Sequence, residues 1–514
     1  MPPSPISRAQ GHEPAPRSAI HQTNSRSTYV DHKSFIPHQG VQVSTQPQLR
    51  GSLTTGRIVM LVVAAAAPLG VVIGNVPIGL ILGNGAGLPV AFLIAAILIA
   101  CSAAGYVAMS RAVPSAGGFA AFVTAGLGPR LGRGTAYAIA VAYFAGVLAL
   151  ATGFGYFSNL ILAGLGIELP WFAWTVAAMT VVAVFGRRSV DSSAKLLLAF
   201  MIAEFAILVV LDIAILVKHG LPALPLDVFS PDQVFSGQLG PALMVGFTSF
   251  IGVESAIIYA KEAKEPERSI PRATFGAIAA IAAFYVLTTW LVIGSIGVDD
   301  VVASATESEG SFIFMLTAAN AGNLTLTIMQ IFFCTSLLAC LLALHNATTR
   351  YVHTLAGEKA LPRTLSAVHA RHASPHRASD AVAGLTAIVL LVCAVMGAEP
   401  YIGLGTSLTG LFTVGVIGLQ VLVSIAAIVY FRRRRDPRIW TTLVAPMVGG
   451  VGIAVGVGFI IANYSTLTGT NSLVANSLPA VLGIALAAGV LWGVRSQPAA
   501  GETESYESEE IATR

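Results

Sequence analysis

From Leu88 to Ser110 the chain runs without one charged side chain, and runs of this kind recur almost to its end. A helix rises about 1.5 Å per residue, so about 20 apolar residues cross a hydrocarbon core of about 30 Å. Twelve segments meet that requirement: 57–82, 88–110, 132–163, 170–187, 194–218, 238–259, 273–297, 322–350, 380–397, 401–431, 439–462 and 477–494. The segment 380–397 is short, and 401–431 reads as broken by glycine. Strand alternation is absent, which argues against a membrane barrel. Hydrophobic residues make up 55% of the 514 and charged residues 11%, against about 25% charged in soluble proteins. Too few charges remain to clothe soluble domains of this size. The chain reads as an all-α polytopic protein of the lipid bilayer.

Residues 1–52 are rich in Pro, Ser, Gln and His and show no apolar signal-peptide core, so they read as a disordered tail. Residues 498–514 carry Glu502, Glu504, Glu507, Glu509 and Glu510 and read as a solvated acidic tail. Positive charge sorts by loop. Arg111, Arg130, Arg133, Arg187, Arg188, Lys195, Lys261, Lys264, Arg268, Arg272, Lys359, Arg363, Arg371, Arg377, Arg432–Arg435 and Arg438 all fall in even-numbered loops. Lys218 stands in an odd one, beside Asp227, Asp232, Asp299, Asp300, Glu307 and Glu309. Because cytoplasmic loops carry the Lys/Arg excess, both termini are expected in the cytoplasm, with the protein spanning the cytoplasmic membrane. The net charge of +4 is thus sorted by membrane side and gives no nucleic-acid face. Cys101, Cys334, Cys340 and Cys393 lie in apolar stretches without metal spacing, so no metal and no cofactor is expected.

Two spans contain helix-breaking residues near mid-membrane. Span 1 has Ala65-Ala66-Ala67-Pro68-Leu69-Gly70, then Gly74-Asn75-Val76-Pro77. Span 6 has Val245-Gly246-Phe247-Thr248-Ser249-Phe250-Ile251-Gly252-Val253-Glu254. In a helix interior Gly costs about 1 kcal/mol and Pro about 3, and unpaired backbone is tolerated at that depth only where it lines a cavity or is buried in protein. One such break reads as a kink or packing notch. Two breaks five spans apart read as a repeat inserted upside down, since five is odd. That is the plan of transporters holding substrate between interrupted helices.

The stretch Ser249–Ala256, with Lys261-Glu262-Ala263-Lys264-Glu265-Pro266-Glu267-Arg268-Ser269-Ile270-Pro271-Arg272-Ala273 after it, resembles the signature of the amino acid–polyamine–organocation (APC) permeases. So do Arg111-Ala112-Val113-Pro114-Ser115-Ala116-Gly117-Gly118 with Gly126-Leu127-Gly128, and Thr349-Arg350-Tyr351 through Gly357–Pro362. The resemblance covers about 55–495. Span 1 departs from the family: its usual Gly-Ser-Gly-like break is replaced by Pro68-Leu69-Gly70, as in a bacterial subgroup. The resemblance implies twelve transmembrane helices in a leucine-transporter-like 5+5 inverted repeat: 53–218 as the first repeat, 219–437 as the second, and two further helices in 438–497. It also implies secondary transport of amino acids or related amines by alternating access.

An amino acid brings a carboxylate and an ammonium, both costly to desolvate. Free N–H groups opening a second half-helix suit the anion, and carbonyls ending a first half-helix suit the cation. On this logic and the resemblance together, Ala67, Pro68, Leu69, Gly70 and Val71 receive the carboxylate. Phe247, Thr248, Ser249 and Phe250 receive the amino group, and Ile251 and Gly252 border the side-chain pocket. Phe250 either gates or packs. Tyr143 in span 3 either flanks the pocket or packs. Glu254, just past the second break, either bonds freed backbone or gates. Glu204, in the middle of span 5, bears a group whose charge costs roughly 2.5–3.5 kcal/mol at the helix centre. Burial favours its neutral form, so it is the expected proton-coupling residue, the alternative being a neutral carboxyl satisfied by a neighbouring helix. Asp212 is expected in a solvated vestibule. Thr335 and Ser336 are hydroxyls open to an ion or to their own carbonyls, and His345 is expected to be structural. Exchange without ion coupling is the nearest alternative. A membrane enzyme needs clustered His, Asp or Ser at a membrane face, and no HxxxD-like or paired-Asp motif has that setting. No phosphate-binding loop is present, which excludes ATP-driven pumping by this chain alone.

Overall fold

The computed structural model describes residues 53–113, 118–188, 194–261, 263–369 and 374–495. Both expected tails, residues 114–117 of the second-loop motif, Glu262 and Arg371 lie outside the described residues, as do the side chains of Arg188, Lys195 and Lys261. Among the described residues the fold is helical with no strand, apart from an isolated parallel bridge joining Leu53 to Ala263. Eight helices there are long and apolar enough to cross a membrane: Gly85–Ala112, Pro129–Ala163, Leu239–Ile257, Pro266–Ile296, Val301–Gly357, His376–Val395, Leu404–Arg433 and Trp440–Ala462. Shorter apolar helices cover Gly70–Leu82, Gly118–Leu127, Trp171–Arg187 and Ala480–Leu491.

In chain order, α1 (Thr55–Ala65) and α2 (Val76–Leu82) flank an irregular stretch, followed by α3 (Leu88–Ala112), α4 (Gly118–Leu127), α5 (Pro129–Ala163), α6 (Trp171–Arg188) and α7 (Ala194–His219). Then come α8 (Pro231–Val234), α9 (Leu239–Thr248), a 3₁₀ stretch over Val253–Lys261, α10 (Pro266–Ile296), α11 (Val301–Ser308) and α12 (Phe312–Gly357). The chain closes with α13 (His376–Val395), α14 (Leu404–Arg433), α15 (Ala445–Ala462), α16 (Tyr464–Thr468), α17 (Leu473–Asn476) and α18 (Ala480–Arg495). The start expected at residue 322 for span 8 falls on a bend inside α12, where Gly322 takes φ 81°.

Lipid tails are as apolar as leucine, so helices associate here by close packing, not by escape from water. The glycines show where. A Cβ on Gly126 of α4 would run into the Ala426 carbonyl of α14, one on Gly449 of α15 into the backbone of Ser102 on α3, and one on Gly489 of α18 would lie 2.7 Å from the Gly134 Cα of α5. Ser102 and Ser424 share a buried hydroxyl bond of 3.0 Å between α3 and α14. Large aliphatics such as Ile97, Ile388 and Val395 stay exposed on the outside, as expected of a surface that lipid covers.

One expectation is corrected here. The stretch 401–431 is not broken by glycine: α14 is continuous from Leu404 to Arg433. Its Gly410 faces Leu467 and Tyr464, and its Gly415 faces Ala142, so these glycines admit neighbours rather than interrupt the helix. Between α3 and α5 the short α4 buries Phe119, Phe122 and Val123.

Candidate functional site

The first break follows from three adjacent residues. α1 stops at Ala65; the Ala66 N–H tightens onto the Val63 carbonyl at 3.1 Å, and Ala67 takes φ 45°, a region costly to a residue with a Cβ. Pro68 then opens the next helical stretch, where a missing N–H and a fixed φ suit the first turn. The first turn of a helix leaves its N–H groups without intrahelical acceptors, which puts Ala67, Leu69 and Gly70 in that role. Val71 differs from expectation: its N–H is taken by the Ala67 carbonyl at 3.2 Å, so it has no free donor. Gly70–Asn75 winds as a π-helix before α2 resumes.

The second break is made differently. α9 ends at Thr248, and the Phe250 and Ile251 N–H groups bond three residues back, to Phe247 and Thr248, at 3.1 Å each. That takes the Gly246 carbonyl out of the four-residue ladder. Gly252 takes φ 109°, a conformation open to glycine, and the continuation is 3₁₀, not α. Glu254 lies in its first turn and accepts the Gly252 N–H at 2.9 Å, so its carboxylate occupies freed backbone. The two hydroxyls expected near the amino group turn inward: Ser249 Oγ donates to the Val245 carbonyl at 2.7 Å and Thr248 Oγ1 to that of Met244 at 2.6 Å. Thr248 also meets the Thr413 hydroxyl of α14. Any cation here therefore depends on main-chain carbonyls. Phe247 is buried against Gly456 of α15, while Ile251 and Gly252 remain half-buried.

Tyr285, in the middle of α10, joins the breaks. Its hydroxyl donates to the Ala66 carbonyl at 3.1 Å, and its ring stands edge-on to Phe250 at 6.5 Å and tilted to Phe92 at 5.4 Å. A tyrosine buried in apolar surroundings needs a partner for its hydroxyl, and here the partner is the carbonyl that the first break sets free. The sequence signal is a phenol hydroxyl at the centre of a span, out of reach of water. Tyr401 makes the equivalent bond further along, to the Gly74 carbonyl at 3.0 Å. It stacks on Tyr156 at 4.8 Å within an aromatic group containing Phe157 and Phe333. Beside this group, in the loop before α14, burial pushes the Glu399 carboxyl up, opposed by the Tyr401 N–H it accepts at 2.7 Å. Tyr143 of α5 lies between Tyr351 at 5.5 Å and Phe412 at 6.3 Å.

Glu204 is 7% exposed on α7, with the Ser336 hydroxyl and Cys340 of α12 and Tyr285 of α10 near its carboxyl. Asp212 is 6% exposed and accepts from the Thr288 hydroxyl of α10 at 2.7 Å. That overturns the solvated-vestibule reading, because α10 covers it. Thr335 is exposed and bonds the Ile331 and Phe332 carbonyls of its own helix. His345 is buried, with Nε2 2.9 Å from Ser379 Oγ. The four cysteines are free. Among the described residues no group of three or more His, Cys, Asp and Glu side chains is placed to hold a metal.

The family described as Amino acid permease matches residues 53–488. The chain is 25% identical over 408 residues to a branched-chain amino acid permease of Bacillus subtilis (strain 168), covering 75% of this chain and 82% of that protein. To the methylthioribose transporter of the same organism it is 25% identical over 411 residues, 75% of this chain and 83% of the relative. It is 27% identical over 418 residues to an uncharacterized transporter of Mycobacterium tuberculosis, covering 80% and 84%. The chain belongs to the amino acid permease family of the APC superfamily, multi-pass membrane transporters and not enzymes.

Proposed function

We propose that this protein carries amino acids or related amines across the cytoplasmic membrane by alternating access, with both termini in the cytoplasm. In this reading twelve helices cross the bilayer, and 53–218 and 219–437 form inverted repeats. The bent spans α1–α2 and α9 with its 3₁₀ continuation are the corresponding first helices of the two repeats. The observation that carries the reading is the pair of helix breaks, after α1 and after α9, joined through Tyr285. Free N–H groups of Ala67, Leu69 and Gly70 hold the substrate carboxylate, with Pro68 fixing the turn and Val71 packing behind it. Carbonyls around Phe247–Phe250 hold the ammonium, and Ile251 and Gly252 leave room for the side chain. Phe250, with Tyr285, closes the site, Glu254 braces the second break, and Tyr143 lines the approach from α5.

Glu204 couples this movement to protons in the same reading. It lies among groups that contribute to the first break through Tyr285, so gaining or losing its charge bears on the helix that binds substrate. In liposomes holding the purified protein, labelled amino acids are expected to exchange in counterflow and to accumulate under an imposed pH gradient. Glu204→Gln is expected to retain counterflow and lose the response to pH. Failure of every amino acid and amine to exchange would overturn the transport reading, and undiminished pH-driven accumulation by the variant would overturn the coupling. The relative named as a methylthioribose transporter favours a second reading of the substrate, a small neutral metabolite, so methylthioribose belongs among the competitors tested.

A further inference from the structure

Helix α7 carries two buried acids on one stripe. Glu204, Leu208, Leu211, Asp212 and Ile215 are buried, whereas Ile202, Val209, Val210, Ile213 and Val217 are exposed. Eight residues of helix put the two acids about 12 Å apart along the axis. Asp212 Oδ2 accepts from Thr288 at 2.7 Å, and Oδ1 has no partner among the described residues. The titratable groups around it are few. Tyr285 is three residues back on α10 from Thr288, thus on the same face, and Glu204 is two turns back on α7. At the other end of α7, Lys218 Nζ donates to the Ala319 carbonyl at 2.9 Å and His219 Nε2 lies 3.0 Å from Asn320 Oδ1. No ion pair among the described residues includes Asp212.

A carboxylate buried without a counter-ion is strongly disfavoured at membrane depth. One proton removes that cost. A metal ion would need several more oxygen ligands, and the hydrogen-bond partner of Asp212 among the described residues is the Thr288 hydroxyl alone. We propose that Asp212 binds and releases a proton during transport, as a second site toward the His219 end of the α7–α10 seam from Glu204. The inference rests on the proton-coupled reading above. Its step is COOH giving COO⁻ and H⁺, with no other bond made or broken. In the arrangement seen here the carboxyl is covered by α10; release of the proton requires α10 to admit water to Oδ1. The same helix holds the Ala66 carbonyl through Tyr285, so that movement reaches the first break.

The test compares wild type, Asp212→Asn and Glu204→Gln, each full length in liposomes, in counterflow at equal pH and in accumulation under a gradient. At one proton per substrate, one pH unit supports about tenfold accumulation. Asp212→Asn keeps the size of the side chain and its bond from Thr288. It is expected to preserve counterflow and to lower the accumulation ratio about tenfold for each pH unit of gradient. Full accumulation by this variant would overturn the proposal, and if Glu204→Gln fails to accumulate in the same experiment the Glu204 reading still stands. Loss in Asp212→Asn with full accumulation in Glu204→Gln would sustain Asp212 and remove Glu204. If Asp212→Asn does not fold, Thr288→Val decides: deleting a donor to the charged form should move the pH midpoint of uptake upward, and an unmoved midpoint overturns the proposal. Accumulation driven by sodium and not by pH removes both assignments.

Discussion

Replacing Tyr285 with phenylalanine isolates the hydroxyl that ties α10 to the first break. The ring remains, and with it the contacts to Phe92 at 5.4 Å, Phe284 at 6.0 Å and Phe250 at 6.5 Å, so little packing is lost. What disappears is a neutral hydrogen bond of 3.1 Å to the Ala66 carbonyl from a side chain that is 1% exposed. A buried acceptor stripped of its donor costs about 1–3 kcal/mol, more than the 0.5–1.5 kcal/mol net value of an ordinary bond. In population terms that is roughly a 5- to 150-fold bias against the broken-helix arrangement. Thermal unfolding in detergent reads the stability loss, and initial counterflow rates per folded molecule read the functional one. Tyr464→Phe is the control: its hydroxyl donates to the Ser407 carbonyl at 2.6 Å and is equally buried, but it lies between α14 and α16. The control should lose comparable stability and keep its rate. If Tyr285→Phe matches wild type in both readouts, or slows transport no more than the control does, Tyr285 does not hold the break open.

Further expectations follow from the same structure. Gly126→Ala should destabilise the protein by about 1–3 kcal/mol through overpacking against α14, whereas Gly418→Ala, with open space at its Cβ, should be neutral or mildly stabilising; thermal midpoints in detergent compare them. Gly252→Ala forces a side chain into φ 109°, a strain of order 1–3 kcal/mol, and should slow counterflow while the protein still reaches the membrane. Asp436, in the loop after α14, accepts from Arg438 at 2.8 Å and 3.0 Å, which holds its carboxyl down at about 2 from an ordinary 3.8. A depressed acid stabilises above its ordinary value and loses that contribution as pH falls through the folded one. The gap in thermal midpoint between wild type and Asp436→Asn should therefore be small, because Arg438 is half exposed, and should shrink from pH 5 toward pH 2.

What the sequence disclosed depended on whether the cause was local. The end of α1 was legible because Pro68 cannot continue a helix from the residue before it, and the burial of Glu204 because a carboxyl at mid-span has no water within reach. The second break gives a weaker signal, Gly246 and Gly252 with no proline, and the apolar pattern of Val253–Lys261 does not separate 3₁₀ from α winding. α4 is not legible because ten residues are too few to read as a span, and its apolar face acquires meaning only when Ala426 of α14 lies against Gly126. The glycines of α14 misled for the same reason: in a membrane a glycine marks a neighbour's approach as readily as a weak point, and the neighbours, Ala142 and Leu467, are far away in sequence. Tyr285 and Asp212 owe their roles to partners 219 and 76 residues distant. A side chain's depth can be counted along its own helix, but whether it meets water or another helix is decided by the bundle. Counted along its span Asp212 lies near the surface, yet α10 covers it, which makes its protonation answerable to the position of that helix.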